Sequence, residues 1–457
     1  MDTNKEIYFV DVTTRDGNQS LWDATGLKTG MVLSIASVMD EAGFRAVDFA
    51  SSINMGVSVH WHKENPWEKI RLCARAMPNT ILSFGTTGRR FIGFRRMPDS
   101  IQALVLKTVS ACGIRRVWIL DAAYDMKVLF KTARLAKEAG IEEVMIALPF
   151  SISPVHTDDF FAQKAREIAA CPDVDIIYLK DAGGLLTIDR TRTLIPVIQQ
   201  NIGDLPLELH SHCNTGLAPL CYLEAMKLGV TTFHVAVPPL AYGSSLPSAL
   251  NILHNARHLG YKVKVNEEAL KAMAVHFQMV AAREQRPAGV PVEYDVYYYK
   301  HQIPGGMLTT LRRHLSELRM EHRLDEVVEE VIRVRAELGY PIMVTPFSQF
   351  VGTQATMNVV TGKRYMQVSD SVLQYVAGWF GPHNAPIDPE VLDKITSLPR
   401  AREFLNKEFE QPSVEEIRKQ MGIGPGVSDE EFLLRYSMTD KEVDEMLAAG
   451  PMKLSYP

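Results

Sequence analysis

Eight short apolar segments recur through the first ~250 residues with helical patterns between them, and three of them end in groups able to bind a metal. Those observations predict an α/β chain: a (β/α)8 TIM barrel carrying a C-terminal mainly helical domain. The predicted strands are Tyr8–Thr14, Ala46–Ala50, Ile81–Thr87, Arg116–Ala122, Val144–Phe150, Asp175–Lys180, Leu207–His212 and Phe233–Val237. Most are short and rich in Val, Ile, Leu or Phe, as strands buried on both faces must be. Helical patterns fall between them at Gly26–Ala42, Ser100–Cys112, Lys127–Gly140, Phe160–Ala170, Thr187–Asn201 and Leu217–Gly229. Several end in glycine (EAGF, SACGI, EAGI, KLGV), the left-handed helix stop expected before a strand. A βα period of about 30 residues fills about 250 residues in eight units, the size of the barrel. An open doubly wound sheet fits less well, because no Gly-rich dinucleotide loop follows the first strand.

Past about residue 260 the rhythm changes. The chain divides into a catalytic barrel, residues 1–260, and a helical domain, residues 261–457. Val265–Arg286 reads as a helix, VPVEYDVYYYKHQIPGGMLTTL carries four tyrosines and a Pro-Gly-Gly turn, and a long charged amphipathic helix is predicted over roughly Leu311–Leu338. SVEEIRKQMG opens with the Ser-x-x-Glu pattern of a capping box. No low-complexity linker intervenes, so the second domain is expected to pack against the barrel.

The 457 residues are 46% hydrophobic and 23% charged, a soluble globular balance. A net charge of −5 provides no basic field for nucleic acid. No apolar stretch approaches the roughly 20 residues of a membrane span. The start MDTNKEIYFV is polar and has no signal-peptide character. Five cysteines, an odd number without a CxxC pair, fit reduced thiols and a cytoplasmic location. Cys73 and Cys112 read as core residues, whereas Cys213, directly after His212, is a candidate to line a site.

The chemistry concentrates at strand ends. Asp16 follows Arg15 in TRDGNQ, just past the first strand; its carboxylate is a hard oxygen ligand, and Arg15 is suited to an oxyanion. His210 and His212 lie two apart on a strand and therefore share a face, a pairing suited to Zn²⁺, Mn²⁺ or Co²⁺. In a barrel these strand ends converge with Asp16. Lys180 ends an otherwise apolar strand and should point inward. An ammonium has no lone pair for a metal, so three roles stay open: a Schiff-base amine, a cation paired with a carboxylate, or an N-carboxylated anionic ligand. The neighbouring metal-binding groups favour the last.

TRDGNQS, YLKDAGGLL, ELHSHCNTG, KHQIPGGMLTTL and YPIMVTPFSQFVGTQATMNV, in that order, resemble the carboxyltransferase branch of the DRE-TIM metallolyases. That branch includes pyruvate carboxylase, the oxaloacetate decarboxylase α subunit and the metal-binding subunit of transcarboxylase. The likeness spans most of the chain, apart from the C-terminal tail. The last two segments separate it from plain lyases and synthases of the same barrel. The resemblance implies that Asp16, His210, His212 and an N6-carboxylysine at Lys180 bind a divalent metal, and that Arg15 and Gln19 contact substrate. It further implies carboxyl transfer between biotin and an enolisable small molecule, with the C-terminal domain funnelling biotin to the metal. No ATP-grasp region is present, and the lysines in AMKL and PMKL (Lys227 and Lys453) lack a biotin-attachment context. Biotin is therefore expected on a separate carrier protein, with a biotin carboxylase as a further partner. By analogy the chain should form a homodimer or higher oligomer. A metal-dependent aldolase or lyase acting without biotin is the alternative reading.

The chain also departs from the family. Where the family's third strand ends in an arginine that grips a 2-oxo acid, this chain reads TTGRRFIGF, placing Thr87 there with Arg89 and Arg90 close by. An aspartate that shapes the family site is replaced by Gly56. The segment holding a proton-shuttling threonine in pyruvate carboxylase reads LAYGSSLPS, leaving Tyr242, Ser244 or Ser245 for that role. With Cys213 nearby, these residues outline an altered pocket, and the expected substrate is not plain pyruvate or oxaloacetate.

Overall fold

In the computed structural model the predicted strands close into a parallel barrel. They are β1 (Glu6–Asp11), β2 (Ala46–Ser51), β3 (Ile81–Thr86), β4 (Arg116–Ile119), β5 (Glu143–Pro149), β6 (Ile176–Asp181), β7 (Leu207–Ser211) and β8 (Thr232–Val235). Each pairs with the next, and β1 pairs with both β8 and β2, which leaves the ring without a free edge. The structure describes residues 5–93, 95–317, 319–405 and 409–457; side chains at 305–307, 309, 310 and 314, within the Pro-Gly-Gly segment and its helix, lie outside the described set.

Period-two alternation sorts the strand residues into two environments. Ile177, Leu179 and Leu209 face the helices and join the main core. Met145, Ala147, Ile176 and Tyr178 fill the lumen as a separate cluster with Leu120. Lys180 continues the parity of Ile176 and Tyr178, so its side chain also points inward. The β6–β7 register sets Lys180 opposite His210, at one height in the barrel.

Three expectations about the surrounding elements need correction. The helix expected over 26–42 is broken into Thr29–Leu33 and Ala36–Glu41. At the break the Ser34 hydroxyl donates back to the Gly30 carbonyl at 2.9 Å, a bond that competes with the helical ladder. The long helix expected over 311–338 is two helices, Gly305–Glu317 and Leu324–Glu337. Arg319 between them adopts a left-handed φ of 57°, and Met320 N–H returns to the Leu315 carbonyl, closing off the first helix. The barrel wall also runs past residue 260. Lys262–Val263 forms a ninth strand on β1, and helix Glu267–Arg283 packs on Ala36–Glu41.

The C-terminal region is seated on the barrel through polar ties around buried aromatic rings. Trp67, fully buried, donates its indole N–H to the Glu430 carbonyl at 3.1 Å, and Trp22 donates to Pro287 at 2.7 Å. Truncating such a ring costs about 3–5 kcal/mol. The predicted capping box is present at Ser413 and Glu416. The tail returns to the barrel, where Tyr456 N–H donates to Ser34 Oγ at 2.8 Å. Among the described residues no helix is long and apolar enough to cross a membrane.

Candidate metal centre

The TRDGN segment is shaped by its own hydrogen bonds. After β1 the chain makes a π-helical turn, Thr13–Gly17, and enters helix Asn18–Trp22. Turns of this kind are rare and frequent at functional sites. Asn18 pins the segment by donating to the Ala24 carbonyl and accepting from Gly26 N–H, both at 3.1 Å. At Gly17 a Cβ would lie 2.8 Å from the Leu240 carbonyl, so only glycine lets the loop after β8 close against the turn. The result fixes Arg15 and Asp16 at the barrel mouth.

Four side chains converge there. Asp16, His210 and His212 place one ligand atom each within 4.8 Å of one another, and all three are buried. Asp16 Oδ2 is 3.2 Å from His210 Nε2 and 3.6 Å from His212 Nε2. The two Nε2 atoms are 3.2 Å apart. Lys180 Nζ lies 3.0 Å from His210 Nε2 and 3.5 Å from Asp16 Oδ2.

The hydrogen-bond network fixes the imidazole tautomers. Glu208, an obligate acceptor when ionised, is 2.9 Å from His234 Nε2, so that nitrogen carries the proton. His234 Nδ1 then accepts, and its partner at 3.0 Å is His210 Nδ1–H. His212 Nδ1–H donates to the Ser244 carbonyl at 2.7 Å. Both Nε2 lone pairs are thereby aimed at the same point near Asp16. Burial holds His210 and His234 below the ordinary histidine range, which keeps them neutral. Two facing lone pairs repel unless a cation lies between them. The donor set, two imidazoles and a carboxylate with ordered outer partners, fits a transition-metal site.

The charges around the cluster are fixed. Burial opposes ionisation of Asp16, but the Arg15 and Lys180 cations outweigh it and hold the carboxyl well below its usual range. Arg15 donates through Nε to Asp48 at 2.8 Å, sits 2.9 Å from Asp16 through Nη2, and lies over the Trp118 ring at 4.8 Å. Trp118 in turn donates to Asp48 at 2.9 Å. Burial lowers Lys180 to about 8 despite the nearby Asp16. In the lumen below, Arg116 pairs with Glu208, both fully buried, and Arg116 and His234 overcome burial to hold Glu208 at about 2.

The other expected site residues separate into two groups. Gln19 Oε1 and Thr87 Oγ1 are buried without a hydrogen-bond partner among the described residues, as polar atoms reserved for a ligand would be. The rest need correction. Cys213 shares the parity of Ser211, and its thiol lies among Asp181 and Cys221 on the helix side, kept protonated by burial. Arg89 is buried in ion pairs with Asp121 at 3.2 Å and Asp125 at 2.6 Å, so it anchors its loop. Gly56 bears on Ile92, which a Cβ would approach to 2.9 Å, rather than on the ligand cluster. The Ser244 hydroxyl donates to the Ser20 carbonyl, and Ser244 acts on His212 through its backbone. The Ser245 hydroxyl is donated to the Leu240 carbonyl at 2.6 Å. The Tyr242 side chain packs against Val12, Ala236 and Leu246.

Sequence reasoning missed the supporting residues Asp48, Trp118, Glu208 and His234. Their signal was present: each is a polar or bulky residue at lumen parity in an apolar strand, and Glu208 sits two before His210. Gly85 belongs with them, since a Cβ there would fall 1.9 Å from the Trp118 ring.

Two family models cover most of the chain. One described as HMGL-like matches residues 6–272, and one described as a conserved carboxylase domain matches residues 298–450. A pyruvate carboxylase subunit of Methanocaldococcus jannaschii is 34% identical over 441 residues, covering 94% of this chain and 76% of the relative. The 2-oxoglutarate carboxylase large subunit of Hydrogenobacter thermophilus is 29% identical over 457 residues, covering 97% and 69%. In fold, the chain superposes on the carboxyl transferase domain of Rhizobium etli pyruvate carboxylase with oxamate and biotin, with a TM-score of 0.87 at 21% identity, covering 98% of this chain and 78% of that one.

Proposed function

The chain belongs to the HMGL-like family joined to a conserved carboxylase domain, and we propose that it is the carboxyltransferase subunit of a multi-subunit biotin-dependent carboxylase. It moves a carboxyl group between carboxybiotin, borne on a separate carrier protein that a biotin carboxylase charges, and an enolisable small acid. The observation that carries this reading is the convergence of Asp16, Lys180, His210 and His212, with both imidazole Nε2 lone pairs directed inward.

Asp16, His210, His212 and carboxylated Lys180 would hold Zn²⁺, Mn²⁺ or Co²⁺. When bound, the ion supplies Lewis-acid stabilisation of an enolate oxygen. Carboxylation of Lys180 gives the site its fourth anionic or neutral donor. The ammonium first gives one proton to water; the freed Nζ lone pair then adds to the carbon of CO₂, an N–C bond forms as one C=O π pair moves onto oxygen, and a second N–H proton leaves to water, so that a cation becomes an anionic oxygen ligand. With Arg15, Asp16 and Asp48 ionised, that change also brings the charges around a divalent ion to balance. Arg15, clamped by Asp48 and Trp118, stands beside the cluster as a preorganised donor for an oxyanion, the group that develops when the substrate enolises. Gln19 and Thr87 offer unpartnered oxygens to the substrate.

The two relatives are named for pyruvate and 2-oxoglutarate, so the acceptor varies among similar chains. With Thr87 at the end of β3 and Arg89 bound to aspartates, we assign this chain an acceptor other than plain pyruvate or oxaloacetate. Purified chain with its biotinylated partner should turn over oxaloacetate slowly at best; fast turnover overturns that assignment. Robust carbon–carbon cleavage by the chain alone, without a streptavidin-detectable partner, would instead favour the lyase. Five free cysteines suit a reducing cytoplasm, and a homo-oligomer is the assembly we expect.

A further inference from the structure

A cleft of about 580 Å³ opens between the loop after β3 and the C-terminal region, beside the barrel mouth. Its size lies within the roughly 300–1,000 Å³ of small-molecule sites. The barrel side supplies Arg90, Arg95 and Arg96, with Arg89 at the inner end; the opposite wall is aromatic. The guanidiniums lie against these rings: Arg90 at 5.7 Å from Phe380, Arg95 at 5.0 Å from Tyr436 and Arg96 at 3.8 Å from Phe409. A guanidinium held over a ring in this way can still present N–H groups of Arg95 and Arg96 to an acceptor.

Arg89 is neutralised by Asp121 and Asp125. Among the described residues Arg95 and Arg96 make no ion pair, and Glu410 is the one carboxylate on the lining. Burial, with Arg89 nearby, weakens the protonated form of Arg96, which marks a cation partly stripped of water. Arginines held over aromatic rings in a concave wall, Arg96 half-buried and Arg95 at its exposed rim, match the bidentate geometry of phosphate oxygens better than that of any neutral ligand.

We propose that this cleft binds an oligophosphate-bearing small molecule of nucleotide size, its phosphates held by Arg95 and Arg96. None of the ligand-cluster residues lines this cleft, so phosphate binding there does not depend on carboxyl transfer. The phosphates could belong to a handle on the acceptor or to a separate nucleotide, and one experiment addresses both. Calorimetric titration of the full chain with ADP and with inorganic pyrophosphate should show saturable binding that weakens with salt. The double variant Arg95→Gln/Arg96→Gln should lose roughly tenfold or more in affinity for both probes, with an unchanged melting temperature. Arg95→Lys/Arg96→Lys, which keeps the charge and loses the fork, should fall between. ADP that competes with the acceptor in the transfer assay identifies a substrate handle, and ADP that binds equally with acceptor present identifies a separate ligand; both support the site. No binding of either probe at millimolar concentration, or equal binding by the Gln variant, overturns it.

Discussion

Replacing His234 with phenylalanine should weaken metal binding although His234 is placed among the outer partners. His234 accepts the His210 Nδ1–H at 3.0 Å and is itself fixed by Glu208 at 2.9 Å. Phenylalanine keeps an aromatic ring against Tyr178, where the imidazole stacks 5.5 Å away at 14°, and leaves Glu208 paired with Arg116. What disappears is the acceptor that holds the His210 proton on Nδ1. A buried N–H left unpaired costs about 1–3 kcal/mol. Removing an outer partner of a metal-bound histidine typically costs about 10–100-fold in affinity, which converts to about 1.4–2.7 kcal/mol. The two routes agree, so a weakening of about tenfold to a hundredfold is expected. Competition with a chelator, at a temperature where both metal-free proteins remain folded, measures it. Unchanged metal affinity in His234→Phe would refute the relay, because His210 would then present its lone pair without help.

Three further substitutions test other parts of the account. Gly85→Ala puts a Cβ 1.9 Å from the Trp118 ring; overpacking should cost about 1–3 kcal/mol in thermal denaturation and displace the platform under Arg15, and a neutral result contradicts the packing argument. Arg116→Met leaves buried Glu208 without its guanidinium and should destabilise by about 3–5 kcal/mol; Arg116→Met with Glu208→Leu should recover part of that loss, and strict additivity would count against a coupled pair. Asp11 is fully buried, and burial raises its carboxyl to about 7 despite hydrogen bonds from Thr13. Because the folded pKa lies above the unfolded one, the folded state binds more protons between about 4 and about 7, so this group's contribution falls as pH rises through that window and is flat above it. Asp11→Asn should flatten that part of the stability profile; an unaltered slope in urea unfolding across the window would argue against it.

The barrel was legible because period-two and helical patterns alternate through it, and strands buried on both faces leave little room for other readings. The ligands were legible because a carboxylate, a lysine and two histidines at strand ends stand out against apolar neighbours. Pocket details resisted because they depend on direction. Cys213 follows His212 in sequence but falls on the opposite face, as strand parity requires. Arg89 lies close to Thr87, yet two aspartates from the β4 side claim it. Ser244 matters through a carbonyl, which every residue has, so its side chain gave the wrong signal. The break at Arg319 is a left-handed turn at a residue with no special turn propensity, and helical periodicity continues across it.

The central claim is that Lys180 completes a metal site with Asp16, His210 and His212. Metal content of the full chain, purified without chelator and compared with Lys180→Ala, tests it most directly. The account predicts about one divalent ion per chain in the wild type, as four converging donors would hold. It predicts strong loss in Lys180→Ala, with partial recovery when a short carboxylic acid fills the vacated space. A wild type without bound metal, or a Lys180→Ala protein that retains the full complement, would contradict it.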